Sequence, residues 1–486
     1  MKLIERRPSL FAALLFTVAA TGLQAEEFET LVIEDDTDET LIIDSTAGES
    51  EDGQATLIDE GENDMLMLDE EQETAPAPDN IAVEKSSSAV VAKLDRLWVE
   101  YGHFAQQRAS KNQQGYAHGL ASIEWRPSDQ WEFKASARAD GYTETGRDDW
   151  GDVELDYDET FIRYKAASST FTLGMQKILW GRIDEFPPTD RLSTQDFRRF
   201  VLDDLEDRRL ASLAFRMEHF FDNKKIDLVY YPHFREAQLA DRDSIWYPVN
   251  KQTGEILSLD TTDAAEAIVK AVPVVENPPD SDGGFGARFS SISNGLDYGV
   301  TVQHGRQTVP YFSYDPVANV IEGKYPRTWI LGGDFGVEAL GGTLKFEANW
   351  MSDTPVTRLD GSYTTVKSMA WGAALELFPG DGDARLNLQL MSVKLLGSPA
   401  VMDRDEMYAF NGSYQIPFAN NQWRATTRFN VGLDEKDVYL NPEIAYTGWD
   451  SQEIYLEFHF FDGDKGTPGG FYEDNSLVTL GWRADF

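Results

Sequence analysis

The chain closes with the stretch NSLVTLGWRADF, Asn475 to Phe486, in which apolar side chains occupy every second position. One side of this two-residue period carries only apolar residues: Val478, Leu480, Trp482, Ala484 and Phe486. The other side includes Thr479, Arg483 and Asp485. Successive side chains of a β-strand point to opposite faces of a sheet, so the stretch predicts a strand with one wholly apolar face. That face needs an apolar phase to cover it.

The same alternation recurs along the chain from Leu94 onward. It is clearest in WEFKASARAD (131–140), LKFEANW (344–350), RLNLQL (385–390), WRATTRFNV (423–431) and EIYLEFHF (453–460). Period two with one apolar face predicts strands between an apolar phase and water. A soluble β-sandwich would show the same alternation, so the lengths of the connections have to decide between the two.

Short and long connections alternate between these predicted strands. The short ones are 126–130, 166–170, 221–225, 293–297, 339–343, 378–383, 418–422 and 447–452. The longer ones are 107–114, 142–153, 180–209, 232–283, 307–324, 353–363, 397–404 and 462–474, and only 434–437 is short among them. This alternation is typical of outer-membrane barrels. It predicts an all-β, transmembrane, antiparallel up-and-down β-barrel of about 18 strands over residues 91–486, with both termini in the periplasm.

Two features of the predicted strands add detail to this barrel. Several tryptophans near strand ends are predicted to form the aromatic girdles at the membrane interfaces: Trp98, Trp125, Trp131, Trp350, Trp371, Trp423 and Trp482. The segment YLNPEIAY (439–446) carries Pro442, which is expected at a strand edge or a bulge because proline has no N–H for the ladder.

Charge and cysteine content exclude several classes of function. The chain has 84 Asp and Glu against 43 Lys and Arg, a net charge of −41. Such a surface repels nucleic acid, so we expect no nucleic-acid partner. There is no cysteine, which excludes disulfides, thiolate nucleophiles and Cys-ligated zinc and suits an exported protein.

The N-terminal region is predicted to be separate from the barrel. Lys2, Arg6 and Arg7 precede a short apolar run that ends at Ala25, the pattern of a secretory signal peptide over residues 1–25. Residues 26–90 then hold 22 acidic residues and one Lys, and we expect this acidic tail to be disordered.

Four fragments of the acidic tail resemble one another: ETLVIEDD (29–36), ETLIID (39–44), ATLIDE (55–60) and DMLMLDE (64–70). Their central residues Leu31, Leu41, Leu57 and Leu66 are candidates for docking to a periplasmic protein partner, as strands or as inserted side chains. The alternative interpretation is an acidic solvating spacer.

The predicted inward face of the barrel carries the candidate pore-lining residues. Those on the strands are Lys134, Arg138, Arg163, Lys345, Arg385, Arg424 and Arg428, and those in the loop 180–209 are Arg191, Arg198 and Arg199. Acidic residues are interleaved with them, so mutual neutralisation of charged ladders is the alternative to an electropositive path for anions.

The loop 180–209 is the strongest candidate for a constriction. The pair Pro187 and Pro188 predicts a turn, and TQDFRRFVLDDLEDRR (194–209) has helical spacing with an apolar stripe. A stripe of this kind packs against something, either inside the barrel or over its outer surface. In the loop 232–283, TTDAAEAIVKAV (261–272) predicts a short capped helix.

The stretch LGMQKILWGRIDEFPPTDRLSTQDF (173–197) also carries a resemblance. With Gly174, Gln176, Trp180, Gly181 and Asp184 after a strand, and with the closing Phe486, residues 94–486 resemble the alginate-export-type outer-membrane porins and nearby uncharacterised barrel families. At residues 176–178 this chain has QKI, whereas alginate exporters have an Arg-rich sequence there. The resemblance implies an anion-tolerant diffusion channel with inward-folded loops. Phe486 looks like the aromatic signal that such proteins present to the barrel-insertion machinery.

No catalytic or metal motif stands out. The six histidines show no zinc-ligand spacing, and no Gly-x-Ser-x-Gly is present, so we predict no enzyme activity, no cofactor and no metal. The sequence therefore predicts a channel in the cell outer membrane, embedded in its lipids, for small or polymeric solutes including anionic ones. The alternative is a structural or docking barrel whose acidic tail recruits an envelope partner.

Overall fold

A computed structural model describes residues 89–106, 111–293, 295–380, 383–397 and 400–486, and the backbone of Val32–Ile33. In this structure an antiparallel sheet of 18 strands closes into a barrel. The first nine strands are β1 Val90–Phe104, β2 Lys111–Ser128, β3 Trp131–Gly146, β4 in two segments Trp150–Tyr157 and Thr160–Lys165, β5 Ser169–Gln176, β6 Ser212–Phe221, β7 Lys224–Tyr231, β8 Gly284–Ser293 and β9 Leu296–Arg306.

The second nine strands complete the sheet. They are β10 Arg327–Ala339, β11 Gly342–Thr357, β12 Tyr363–Leu377, β13 Arg385–Leu396, β14 Glu406–Phe418, β15 Trp423–Gly432, β16 Asp437–Trp449, β17 Gln452–Gly463 and β18 Leu477–Asp485. Strand β18 pairs with β1, from Arg96 opposite Asp485 to Phe104 opposite Leu477. Closure leaves no sheet edge in hydrocarbon, where unpaired backbone groups are costly. The predicted fold class and strand number are confirmed.

All eight predicted short turns connect neighbouring strands at one end of the barrel. Two predicted long connections are shorter than expected, because β3 and β4 continue as a hairpin up to residues 147–149 and β11 and β12 up to residues 358–362. In outer-membrane barrels the short turns lie in the periplasm, and we refer to this end as the periplasmic end.

The outward face of the strands is apolar and exposed. Leu155, Val300 and Leu480, for example, are 80%, 54% and 51% exposed although each lies within a strand. Four exposed tryptophans lie beside the short turns: Trp125, Trp131, Trp423 and Trp449. Trp125 stacks on Phe133 with ring centroids 4.9 Å apart. An apolar band with an aromatic rim is the surface that lipid covers, so the protein is located in the cell outer membrane.

Among the described residues, no helix is long and apolar enough to cross a membrane.

Pro442 lies inside β16, and not at an edge or a bulge as predicted. The backbone pairing of β16 with β15 is continuous at this residue. The pairing of β16 with β17 is interrupted between Leu440 and Glu443, and it resumes there in the same register. The Asn441 side chain bridges this gap by donating Nδ2–H to the carbonyl oxygen of Phe458 at 3.3 Å. The missing proline N–H is therefore tolerated because a side chain substitutes for a ladder bond.

The long connections 232–283, 307–326 and 464–476 fill the outer end of the barrel. Their apolar side chains, including Trp246, Phe312 and Tyr472, form one buried cluster with Phe461 of β17. The predicted helix is α1, Asp263–Ala271, capped by the Thr262 hydroxyl. A second, short helix α2 spans Pro468–Phe471, followed by a 3₁₀ turn at Glu473–Asn475.

Small strands within the loops complete the secondary structure. Val274–Glu276, Tyr311–Asp315 and Val320–Lys324 form one small sheet, and Thr194–Phe197, Arg209–Leu210 and Gln238–Leu239 form another. The two-residue strand Val32–Ile33 pairs with β1.

Candidate constriction inside the barrel

The connection between β5 and β6, residues 177–211, lies inside the barrel and is called the inner loop here. The helix predicted over 194–209 is wrong. Thr194–Phe197 is a strand paired with Arg209–Leu210, the Asp196 carboxylate accepts the Arg198 N–H at 3.0 Å, and Phe200 has a φ of 53°. A side chain that caps nearby N–H groups competes with a helix, and a left-handed residue ends one.

The first half of the inner loop is bound to the β9–β11 wall by Glu347. This carboxylate is fully buried. It accepts hydrogen bonds from the Arg182 N–H, from the Ile183 N–H at 2.8 Å, and from the N–H and hydroxyl of Thr189 at 3.2 and 3.1 Å. Nearby, Gln303 donates to the Thr189 carbonyl oxygen at 2.7 Å. A buried carboxylate is tolerated only when it is hydrogen-bonded in this way.

The second half of the inner loop is bound to the opposite side of the barrel by Arg199. Its guanidinium lies over the rings of Trp98 and Tyr116, with 5.2 and 4.0 Å to the ring centroids. It forms ion pairs with Glu100 of β1 and, at 2.8 Å, with Asp203 of the inner loop. Burial raises the pKa of Asp203 to about 7; the positive charge of Arg199 opposes this rise, and the negative charge of Glu100 adds to it.

Arg198 makes the adjacent contact with β3 and β4. It forms ion pairs with Asp196, with Glu154 and, at 3.7 Å, with Asp140, and its guanidinium lies 5.1 Å from the ring centroid of Tyr142. Asp140 also forms an ion pair with Arg138 at 2.7 Å. Two adjacent arginines of the inner loop are thus buried in a pocket of wall carboxylates and aromatic rings.

Further contacts bind the inner loop to strands near the barrel closure. Arg428 of β15 pairs with Asp204 and donates to the Leu202 carbonyl oxygen at 2.9 Å. Asp207 pairs with Arg96 of β1 and, at 3.6 Å, with Arg483 of β18. The inner loop therefore contacts inward-facing side chains on both sides of the barrel interior.

The remaining predicted pore-lining residues on the strands each pair with a carboxylate. The pairs are Lys134 with Glu159 at 3.5 Å, Arg163 with Glu132 at 3.3 Å, Lys345 with Glu376 at 2.9 Å, Arg385 with Glu376 at 2.6 Å and Arg424 with Glu453 at 2.7 Å. Arg191 donates its Nε–H to the Pro188 carbonyl oxygen at 3.2 Å. The inward face thus carries both signs of charge in close contact, so basic residues alone do not set its field.

Sequence reasoning missed the aromatic and acidic partners of the inner loop. Trp98 was predicted for a membrane girdle, but it is 4% exposed and packs inside with Tyr116 and Tyr142. A signal was present, because Trp98 is in phase with Glu100 and Gly102 in the two-residue period of β1. No comparable signal marks Glu347 as the carboxylate that receives the inner loop.

The predicted docking residues Leu31, Leu41, Leu57 and Leu66 lie outside the described residues. In the part of the chain that the structure describes, no group of His, Asp and Glu is placed to hold a metal ion.

Several solved structures of outer-membrane proteins are similar to this chain. Pseudomonas aeruginosa OpdL has 11% sequence identity and a TM-score of 0.45, with 82% of this chain and 98% of that chain covered. Pseudomonas aeruginosa OpdQ has 13% identity and a TM-score of 0.44, with the same coverage. Wzi, a carbohydrate-binding barrel involved in group 1 capsule assembly in Escherichia coli, has 11% identity and a TM-score of 0.40, with 81% and 85% covered.

No family model and no curated protein matches the chain. The resemblance to alginate-export porins therefore stays a prediction.

Proposed function

We propose that this protein is an outer-membrane channel for small or polymeric polar solutes and that the inner loop is its constriction. The observation that carries the proposal is the binding of one loop to opposite walls, at Glu347 of β11 and at Glu100 of β1. A loop held at both ends across a lumen limits the width of any path through it. Its position then governs conductance.

Anion preference is part of the proposal and depends on the two buried arginines. A guanidinium stays charged at any pH a cell meets, and charges in a narrow low-dielectric passage act more strongly than charges at a rim. When the inner loop is in this position, Arg198 is ion-paired with Glu154 of β4 and Arg199 with Glu100 of β1. We propose that displacement of the loop separates these pairs, so that selectivity and opening are coupled.

Planar-bilayer recording tests the channel directly. Purified protein should insert and pass current, and replacing residues 195–208 by a short Gly-Ser linker should increase the single-channel conductance. The matched control replaces the loop residues 358–362, which lie between β11 and β12 at the barrel rim. Folded barrels that insert but pass no current, with or without residues 195–208, would contradict the channel function.

A structural or docking barrel is the second candidate, favoured by the buried apolar cluster at the outer end. Trp246, Phe461 and Tyr472 are each at most 3% exposed, which is the packing of a protein core. If the linker variant stays silent in bilayers while deletion of residues 26–90 abolishes capture of an envelope partner, this second function is the correct one.

A further inference from the structure

Strand β1 extends beyond its neighbour β18 at the periplasmic end. The last backbone contact between them is the Phe486 N–H to the Asp95 carbonyl oxygen at 3.0 Å, whereas β1 begins at Val90 and stays paired with β2 from there on. One side of Val90 to Leu94 is therefore not covered by β18. Uncovered backbone N–H and C=O groups on a strand are a template for another strand.

A strand from the acidic tail lies on this side of β1. Val32 is opposite Val91 and Ile33 is opposite Val90, in antiparallel orientation, so the tail strand runs in the same direction as β18. If this register continued, residues 29–31 would lie opposite Leu94, Lys93 and Ala92. The five residues ETLVI (29–33) match the five uncovered residues of β1 in number, without overlap with Phe486.

We propose that the periplasmic edge of β1, Val90 to Leu94, is a docking site for the first repeat of the acidic tail, residues 29–33. Backbone pairing provides the affinity in such strand addition, and alternate side chains provide the specificity. The acidic residues that follow the fragment would then lie close to Ala89 and Arg126. The side chain of Arg126 is 63% exposed.

This docking does not depend on whether the barrel conducts, because it uses backbone groups of β1 and none of the contacts of the inner loop. The other three tail fragments share the aliphatic centre of the first, and their proximity raises the effective concentration at one edge. Docking of the first repeat would hold the acidic tail close to the periplasmic mouth of the barrel.

Disulfide trapping tests the register. Because the chain has no native cysteine, any disulfide that forms must join the introduced residues. Directly opposed residues of antiparallel strands have Cα atoms about 4.5–5.5 Å apart, within the range that a disulfide spans. In the full-length folded protein, the pair Val32→Cys and Val91→Cys should bridge under mild oxidation. The rate should exceed that of Thr46→Cys with Val91→Cys, a tail position between repeats, by about tenfold or more because docking raises effective concentration.

Three outcomes would overturn the proposal, each read from the same gels. Equal rates for Val32→Cys and Thr46→Cys would mean a random tether. A faster bridge from Ile42→Cys, the equivalent residue of the second repeat, would assign the edge to another fragment. Bridges only between two chains, seen as a dimer, would make the edge a contact between copies. Bilayer conductance of the same variants separates these results from any failure of the channel function.

Discussion

Glu347→Gln is the substitution that tests most sharply whether the inner loop controls the passage. The glutamate is fully buried, and its two oxygens receive four hydrogen bonds from the inner loop. A glutamine keeps one accepting oxygen and replaces the other by an NH₂ group. Whichever way the amide is turned, at least one backbone N–H of the inner loop is left buried without an acceptor.

The magnitude follows from the better of the two amide orientations. With the NH₂ group toward Thr189, the hydroxyl of that residue rotates to accept, and only the Thr189 N–H is unsatisfied. One unsatisfied buried donor costs about 1–3 kcal/mol, which corresponds to a change of about 5- to 150-fold in an equilibrium. The docked position of the inner loop should lose stability by this factor.

Single-channel recording measures the effect as a larger or more frequently open conductance in Glu347→Gln. The matched control is Glu443→Gln, since Glu443 is an inward-facing glutamate on β16 that pairs with Arg424 at 3.3 Å. In this variant Arg424 still has its ion pair with Glu453 at 2.7 Å. Identical traces from the two folded variants and the native protein would refute the assignment of the inner loop as the constriction. Heat-modifiable migration on gels checks that both barrels are folded.

Three further predictions concern charge, pH and the lipid face. Replacing Arg198 and Arg199 with Glu should shift the reversal potential in a salt gradient toward cations, most strongly at low salt, whereas Arg147→Glu on an exposed outer loop should change it little. Because burial raises the pKa of Asp203 to about 7, docking of the inner loop takes up a proton, so conductance should decrease as the pH falls from above 7 toward 5, and Asp203→Asn should weaken this dependence while Glu185 and Asp190, whose pKa burial also raises, retain part of it. Val300→Arg, on the outward face in mid-strand, should destabilise the barrel by about 2–4 kcal/mol in denaturant titrations in vesicles, and an unchanged midpoint would mean that this face does not contact lipid.

Local patterns predicted the architecture because they depend on neighbouring residues alone. The period of two in the last strand places Val478 and Leu480 outward and Thr479 inward, as the structure has them. The cap at Thr262 likewise marks the start of α1 in the sequence itself. By contrast, the helical spacing after Thr194 was misleading, because Asp196 accepts the Arg198 N–H, Phe200 has a left-handed backbone, and Arg198 pairs with Glu154 on the barrel wall.

The tertiary structure alone decided which residues form the candidate constriction. The inner loop meets Glu347 through Arg182, which is 165 positions away in the chain, and Arg199 meets Glu100 across 99 positions. A two-residue period states that Glu347 and Glu100 face inward, but it contains no information on the strand that stands opposite or on where a loop crosses the lumen. Those depend on how the eighteen strands stagger when they close and on which buried charges find partners there. The wall is therefore a property of local sequence, and the candidate constriction depends on the closed barrel.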